Sequence, residues 1–310
     1  MAQENLSDYE FTNYSVQDGI IDNGVQSIYQ DNEGYLWIGT GRGVDRYDGK
    51  RFLHMIDKEQ AEGKLPFYKI RCITETNGII WIGTTGDGLV KYDKKKKKFT
   101  YFSFEPQKNS ISSNFIWSFQ KIAENELLIC TSKGENRFNI ENEYFDIVPH
   151  LSKYVFNSFL LDSQKRLWGA SSSGLYLFSR HPLAPTEYNL KKYFNISEKI
   201  LNICQIVEEP NTGGKVLWMA SRKHLYRLNI INHSSQSFSI DRFEKSLHPH
   251  QYIRVLQFDS DGNLWVGTEG SLGILKKAEK DFRYISLANK NKSSEGFIGN
   301  SILSIIQDKA

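Results

Sequence analysis

The 310-residue sequence has only three cysteines, too few for a disulfide framework, and no C-x-x-C spacing that would point to zinc or redox chemistry. It has no stretch of about 18 apolar residues, which excludes a membrane-spanning helix. It has almost no net charge: 39 Lys+Arg stand against 36 Asp+Glu, giving +3, which argues against a dedicated nucleic-acid binder. Aromatic residues are not scarce. They make up 13% of the chain, enough apolar surface to offset the entropy of ordering it, so disorder is excluded as well.

What the sequence does contain is a repeat. The segments 25–31, 36–40, 43–48 and 52–55 return in the same order as 70–73, 80–84, 88–93 and 99–102. Leu36-Trp37-Ile38-Gly39-Thr40 becomes Ile80-Trp81-Ile82-Gly83-Thr84, and later copies run through 128–131, 168–171, 218–221 and 264–268. The tryptophan position (Trp37, Trp81, Leu128, Trp168, Trp218, Trp265) recurs every 40 to 50 residues. Each repeat offers four short apolar runs separated by Gly, Asp and Asn, which predicts four antiparallel strands. That period with four strands is the signature of a β-propeller blade. Asp-x-x-Gly at 31–34 and 259–262 predicts hairpins built on a type I turn followed by glycine at positive φ. In the second strand, a small residue before Thr or Ser lets neighbouring sheets approach, and the tryptophan fills the wedge between them.

The expected fold is therefore all-β: a seven-bladed β-propeller with six complete four-stranded blades plus the first and last strands of a split closing blade. The chain reads as one domain, 1–310, with blades at approximately 25–69, 70–115, 116–155, 156–202, 203–252 and 253–301. The closing blade comes from 9–15, which matches the fourth-strand pattern of 99–102, and from 302–308. A ring cut in mid-repeat is expected of a fragment of a longer protein.

Most of the tempting motifs have structural readings. The five lysines of 94–98 fall on a hairpin tip and read as solvated. Cys72, Cys130 and Cys204 fall on core positions and read as buried free thiols. Asp259-Ser260-Asp261-Gly262 lacks the glutamate of a calcium loop, Thr268 standing there, and reads as a turn. His248 and His250 lack a third ligand and read as an exposed loop. Asp87 and Glu269 lie in equivalent loops and could serve a glycosidase or lyase, yet no Ser/His/Asp or Tyr/Arg cluster joins them. No catalytic residue, metal or cofactor is expected.

One position escapes the packing logic. The residue after the first apolar position of each inner strand reads Gln26, Arg71, Trp117, Asn157, Cys204, Arg254 and Leu303. Inner strands of a propeller line its channel, and aromatics with Arg and Asn at the mouth suit a polar ring-shaped ligand such as a sugar. The candidate ligand-binding residues are Arg71, Trp117, Asn157 and Arg254, with Tyr68 and Tyr252 from the entering loops and Arg42. Phe67, Phe115 and His250 lie in the same loops.

The pattern V-x-S-I-x-x-D-x-x-G-x-L-W-I-G-T-x-x-G-L-x-x-Y-D, nearly intact at 25–48 and 264–268 and partial at 70–93, resembles the regulator-propeller repeat. The repeat is similar to that of extracytoplasmic sensor regions of hybrid two-component histidine kinases from Bacteroides-type bacteria. The resemblance implies two successive propellers, an immunoglobulin-like domain, a membrane helix and a histidine kinase, with oligosaccharides from glycans as ligands. None of those downstream parts is in this chain, and the repeat transfers no ligand residue. The third repeat has lost its Trp, and the fifth has His224 where Gly is usual.

The resulting expectation is a periplasmic, non-enzymatic ligand-sensing propeller. Its partners would be an oligosaccharide, the second propeller and immunoglobulin-like domain of the same receptor, and another copy of itself in a homodimer. It would touch no nucleic acid, and would reach the membrane only through the missing part. The alternatives are a propeller scaffold for protein interaction or dimerisation without a small ligand, and a glycan-active hydrolase or lyase. The start Met-Ala-Gln-Glu-Asn carries no leader, as expected if a secretory signal has been removed.

Overall fold

In the computed structural model the described residues are 9–56, 69–148, 156–180, 183–194, 196, 202–221, 224–239, 252–277, 279, 281–286 and 301–309. They form six four-stranded antiparallel sheets, each with its strands in chain order. The chain divides into two compact units, Tyr14–Val155 with Asp308–Ala310, and Met1–Asn13 with Phe156–Gln307.

The first unit holds three sheets. The first is β1 (Val25–Gln30), β2 (Leu36–Thr40), β3 (Val44–Tyr47) and β4 (Phe52–His54). The second is β5 (Ile70–Thr76), β6 (Ile79–Thr84), β7 (Leu89–Asp93) and β8 (Lys98–Phe102). The third is β9 (Ile116–Ala123), β10 (Glu126–Thr131), β11 (Gly134–Asn139) and β12 (Tyr144–Ile147).

The second unit holds the other three. The fourth is β13 (Phe156–Leu161), β14 (Leu167–Ser171), β15 (Leu175–Arg180) and β16 (Leu183–Glu187), followed by the short helix α1 (Leu190–Phe194). The fifth is β17 (Ile203–Glu208), β18 (Val216–Ser221), β19 (His224–Asn229) and β20 (Ser234–Ser239). The sixth is β21 (Ile253–Phe258), β22 (Leu264–Thr268), β23 (Ser271–Leu275) and β24 (Arg283–Ser286).

Packing between successive sheets follows the small-residue and tryptophan rule. A Cβ on Gly39 would lie 2.5 Å from Ile70 Cγ2 of the next sheet, and one on Gly83 would lie 2.8 Å from Ile116 Cγ2. Only glycine permits that approach. Trp81 is fully buried and meets Phe138 of the third sheet edge-on at 5.3 Å between centroids. Trp37 reaches Tyr92 of the second sheet at 5.6 Å. In the other unit Trp218 meets Phe258 of the sixth sheet at 6.4 Å.

The turn aspartate does more than shape its hairpin. Gly34 and Gly262 adopt φ of 91° and 84°, as the spacing predicts. Asp31 Oδ1 accepts the backbone N–H of Glu33 and Tyr35, while its Oδ2 accepts the Trp37 indole N–H at 2.9 Å. Asp162 and Asp259 do the same for Trp168 and Trp265 at 2.8 Å. Thr76 serves Trp81, and Glu209 serves Trp218. These bonds satisfy indole groups that close packing removes from water. With Asp259 turned inward on Trp265 and Asn263, the aspartate–glycine segment is a turn.

Lys94 corrects the reading of its run. It is not a solvated tip residue but only 11% exposed, bridging to Asp31, Glu33 and Glu75. Lys95, Lys96 and Lys97 are exposed. Cys130 is fully buried, and Cys72 and Cys204 are partly so, all as free thiols.

Residues 9–15 and 302–308 form no strand, so the ladders comprise six blades. Ile302 nevertheless donates its N–H to the Thr268 carbonyl and packs with Val255 and Leu272, while Tyr9 meets Trp265 edge-on. Among the described residues no helix is long and apolar enough to cross a membrane. His248 and His250 lie outside the described residues.

Candidate functional site

Every first strand carries a β-bulge, and the extra residue is the position singled out above. Ile70 pairs with Thr84 and Cys72 with Gly83, leaving Arg71 unopposed. Trp117 is skipped between Ile116 and Ser118, and Gln26 between Val25 and Ser27. Asn157, Cys204 and Arg254 are skipped in the second unit. A bulge releases its extra residue from strict in–out alternation and re-aims the side chain. That is why this position tolerates Arg, Trp and Asn inside otherwise apolar strands.

In the first unit two of these residues meet. The Arg71 guanidinium lies over the Trp117 ring, 5.4 Å from its centroid. Asn114 gathers the surrounding loops: its carbonyl accepts N–H groups from Gly86 and Gly88, and its Oδ1 accepts that of Phe104 at 2.6 Å. Phe115 pairs with Thr85 in an isolated bridge and accepts the Ser132 N–H. Three rings are thereby held at the same end of the second and third sheets while still open to solvent: Phe104 at 41%, Phe115 at 49% and Trp117 at 40%. Lys133 places its ammonium 5.2 Å from the Phe104 centroid. Two of these open rings each face a cation, Trp117 under Arg71 and Phe104 beside Lys133. Asp87 lies in the same loop cluster, its N–H donated to Thr84 Oγ1. Beneath, burial pushes the Cys72 thiol well above its ordinary pKa, which leaves it protonated and inert.

The other candidates have different surroundings. Arg254 forms an ion pair with Glu269, whose backbone N–H binds the Tyr252 carbonyl. Asn157 donates to the Ile203 carbonyl at 2.8 Å, tying the first strands of the fourth and fifth sheets together. Arg42 is exposed on the turn between β2 and β3, with its N–H bound to Thr40 Oγ1 at 3.1 Å. Tyr68, like Phe67, lies outside the described residues. Phe104 and Lys133 were not among the sequence candidates. They come from the β8–β9 connection and the β10–β11 turn, positions that no strand register flags.

At 19–42 and 248–270 the sequence matches the two component regulator propeller family, so these segments are regulator-propeller repeats. No curated protein matches the chain. Among solved structures it is similar to the extracellular domain of a hybrid two-component system from B. thetaiotaomicron, with 20% identity and a TM-score of 0.76 over 97% of this chain and 39% of that one. The extracellular domain of a one-component system from the same organism gives 14% and 0.75 over 97% and 38%. Virginiamycin B lyase from Staphylococcus aureus gives 12% and 0.62 over 86% and 85%. At these identities the likeness establishes the fold, a β-propeller. The chain spans about two-fifths of the two sensor domains.

Proposed function

We propose that the chain is the extracytoplasmic sensing propeller of a hybrid two-component receptor, periplasmic and without enzymatic activity of its own. It recognises a glycan-derived oligosaccharide and signals to a histidine kinase elsewhere in the full protein. The observation that carries this reading is the exposed cluster of Phe104, Phe115 and Trp117 with Arg71 and Lys133. Ring faces suit the C–H faces of sugars, while the cations and Asp87 suit hydroxyl groups. The repeat match and the resemblance to extracellular sensor domains support the receptor context. The ion pair that holds Glu269 to Arg254 favours a structural charge over a general acid. In this reading residues 9–15 and 302–308 belong to a seventh, closing blade.

Hydrogen-exchange mapping tests the site. Mixed oligosaccharides from plant or host glycans should protect amides near 104, 114–117 and 132–133 within the first unit. Protection confined to other segments would refute the placement.

A scaffold role has one observation in its favour. Tyr14, Val16, Leu53 and Ile56, in and around the first sheet's outer strand, are each about half exposed. Sedimentation would register that role as self-association lost on Leu53→Glu, and a monomer at all concentrations would count against dimerisation.

A further inference from the structure

Lysine 94 and lysine 277 occupy the same place in the repeat but meet different neighbours. In the first unit, Tyr92 pairs with Ile80 and Lys94 follows two residues on; in the second, Leu275 pairs with Leu264 and Lys277 follows two residues on. Lys94 closes the junction between the first and second sheets, its Nζ 2.7 Å from Glu75, 2.9 Å from Glu33 and 3.4 Å from Asp31. Burial works against its charge, but the hydrogen bonds it donates to Glu75 and Glu33 and the charge of Asp31 prevail and hold its pKa well above that of an ordinary lysine.

Each of those three carboxylates is altered around Lys277. Glu75 pairs with Ile80 as Phe258 pairs with Leu264, so a ring replaces a carboxylate. Glu33 follows the indole acceptor Asp31 by two residues, and Asn211 follows the indole acceptor Glu209 likewise. Glu209 keeps its charge and still feels that of Lys277, but its hydrogen bonds go to the Trp218 indole and, at 2.6 and 2.7 Å, to Arg227. The Lys277 ammonium makes no hydrogen bond or ion pair among the described residues, and Lys277 is exposed. Between the fifth and sixth sheets there is instead a cleft of about 270 Å³, with Phe238, Phe258 and Leu275 in its lining.

We propose that this cleft binds a small single-ring organic anion. Its carboxylate takes on Lys277 the place that Glu75 holds on Lys94. Its ring lies over Phe238 and Phe258, and its polar substituents reach Asn211 and Arg227. The volume fits one ring rather than an oligosaccharide. This site lies in the second unit, shares no residue with the aromatic cluster, and stands or falls separately from it.

Nuclear magnetic resonance titration of the chain with sodium glucuronate and with sodium benzoate tests the proposal, with glucose and benzyl alcohol as the uncharged counterparts. At least one anion should shift signals at 209–211, 236–238 and 275–277, with its uncharged counterpart about tenfold weaker. A response to glucuronate identifies a sugar acid, and one to benzoate an aromatic acid. Lys277→Gln, at an exposed position that leaves the fold intact, should erase the preference for the anion. Phe258→Glu, which restores the carboxylate of the second sheet, should abolish binding. Silence with both anions at millimolar concentration, equal binding of the uncharged counterparts, or unchanged affinity in Lys277→Gln would each overturn it.

Discussion

Glu135 stands on β11 where the other sheets place Val44, Leu89, Leu175, Leu225 or Leu272. It is 2% exposed and its Oε2 has no hydrogen-bond partner. Burial pushes its pKa up to about 8, opposed only by its own backbone N–H. An acid whose folded pKa is raised leaves stability untouched below the unfolded value near 4.3, then lowers it as pH climbs towards 8. The penalty at full ionisation is on the order of 5 kcal/mol. Glu135→Leu should therefore raise the melting temperature by several degrees more at pH 9 than at pH 5. Equal gains at both pH values would show that the carboxyl is not the cause.

At the scale of a single hairpin, the aspartate–tryptophan bond joins turn chemistry to core packing. Asp162 is 2% exposed and accepts the Trp168 indole and both the backbone N–H and Nε of Arg166. Asp162→Ala strands those donors and should cost roughly 2–4 kcal/mol in urea unfolding. Asp162→Asn, which can still accept the indole hydrogen, should cost clearly less. Equal losses in the two variants would mean that the indole bond contributes nothing.

The same elements show how much could be read beforehand. Four strands per repeat, positive φ after the turn, and glycine under the neighbouring sheet are all local consequences of spacing, and they appear as expected. The indole acceptor was not legible because it lies six residues before Trp37, five before Trp81 and nine before Trp218. Nor was the burial of Lys94, since its carboxylates come partly from the preceding sheet. Arg71 and Trp117 stood out because a bulge lifts its residue from the strand pattern. Phe104 and Lys133 did not, because loops without register bring them to the cluster.

Over the whole molecule, near-neutral charge and a repetitive lattice make the irregular places informative. Two stand out, one in each unit: open aromatic rings with cations in the first, and a lysine without a hydrogen-bonded carboxylate in the second. Stacking and cation contacts supply modest energies individually, on the order of 1 kcal/mol each, so recognition at the first site depends on several rings acting together.

The central claim, that the aromatic cluster reads an oligosaccharide, is tested most directly by calorimetric titration of glycan oligosaccharides into the chain and into its Trp117→Ala variant. The account predicts saturable binding of at least one oligosaccharide, weakened about tenfold or more by the substitution and unchanged by Lys277→Gln. An oligosaccharide that binds Trp117→Ala as tightly as the parent chain, or no binding by any of them, would contradict it.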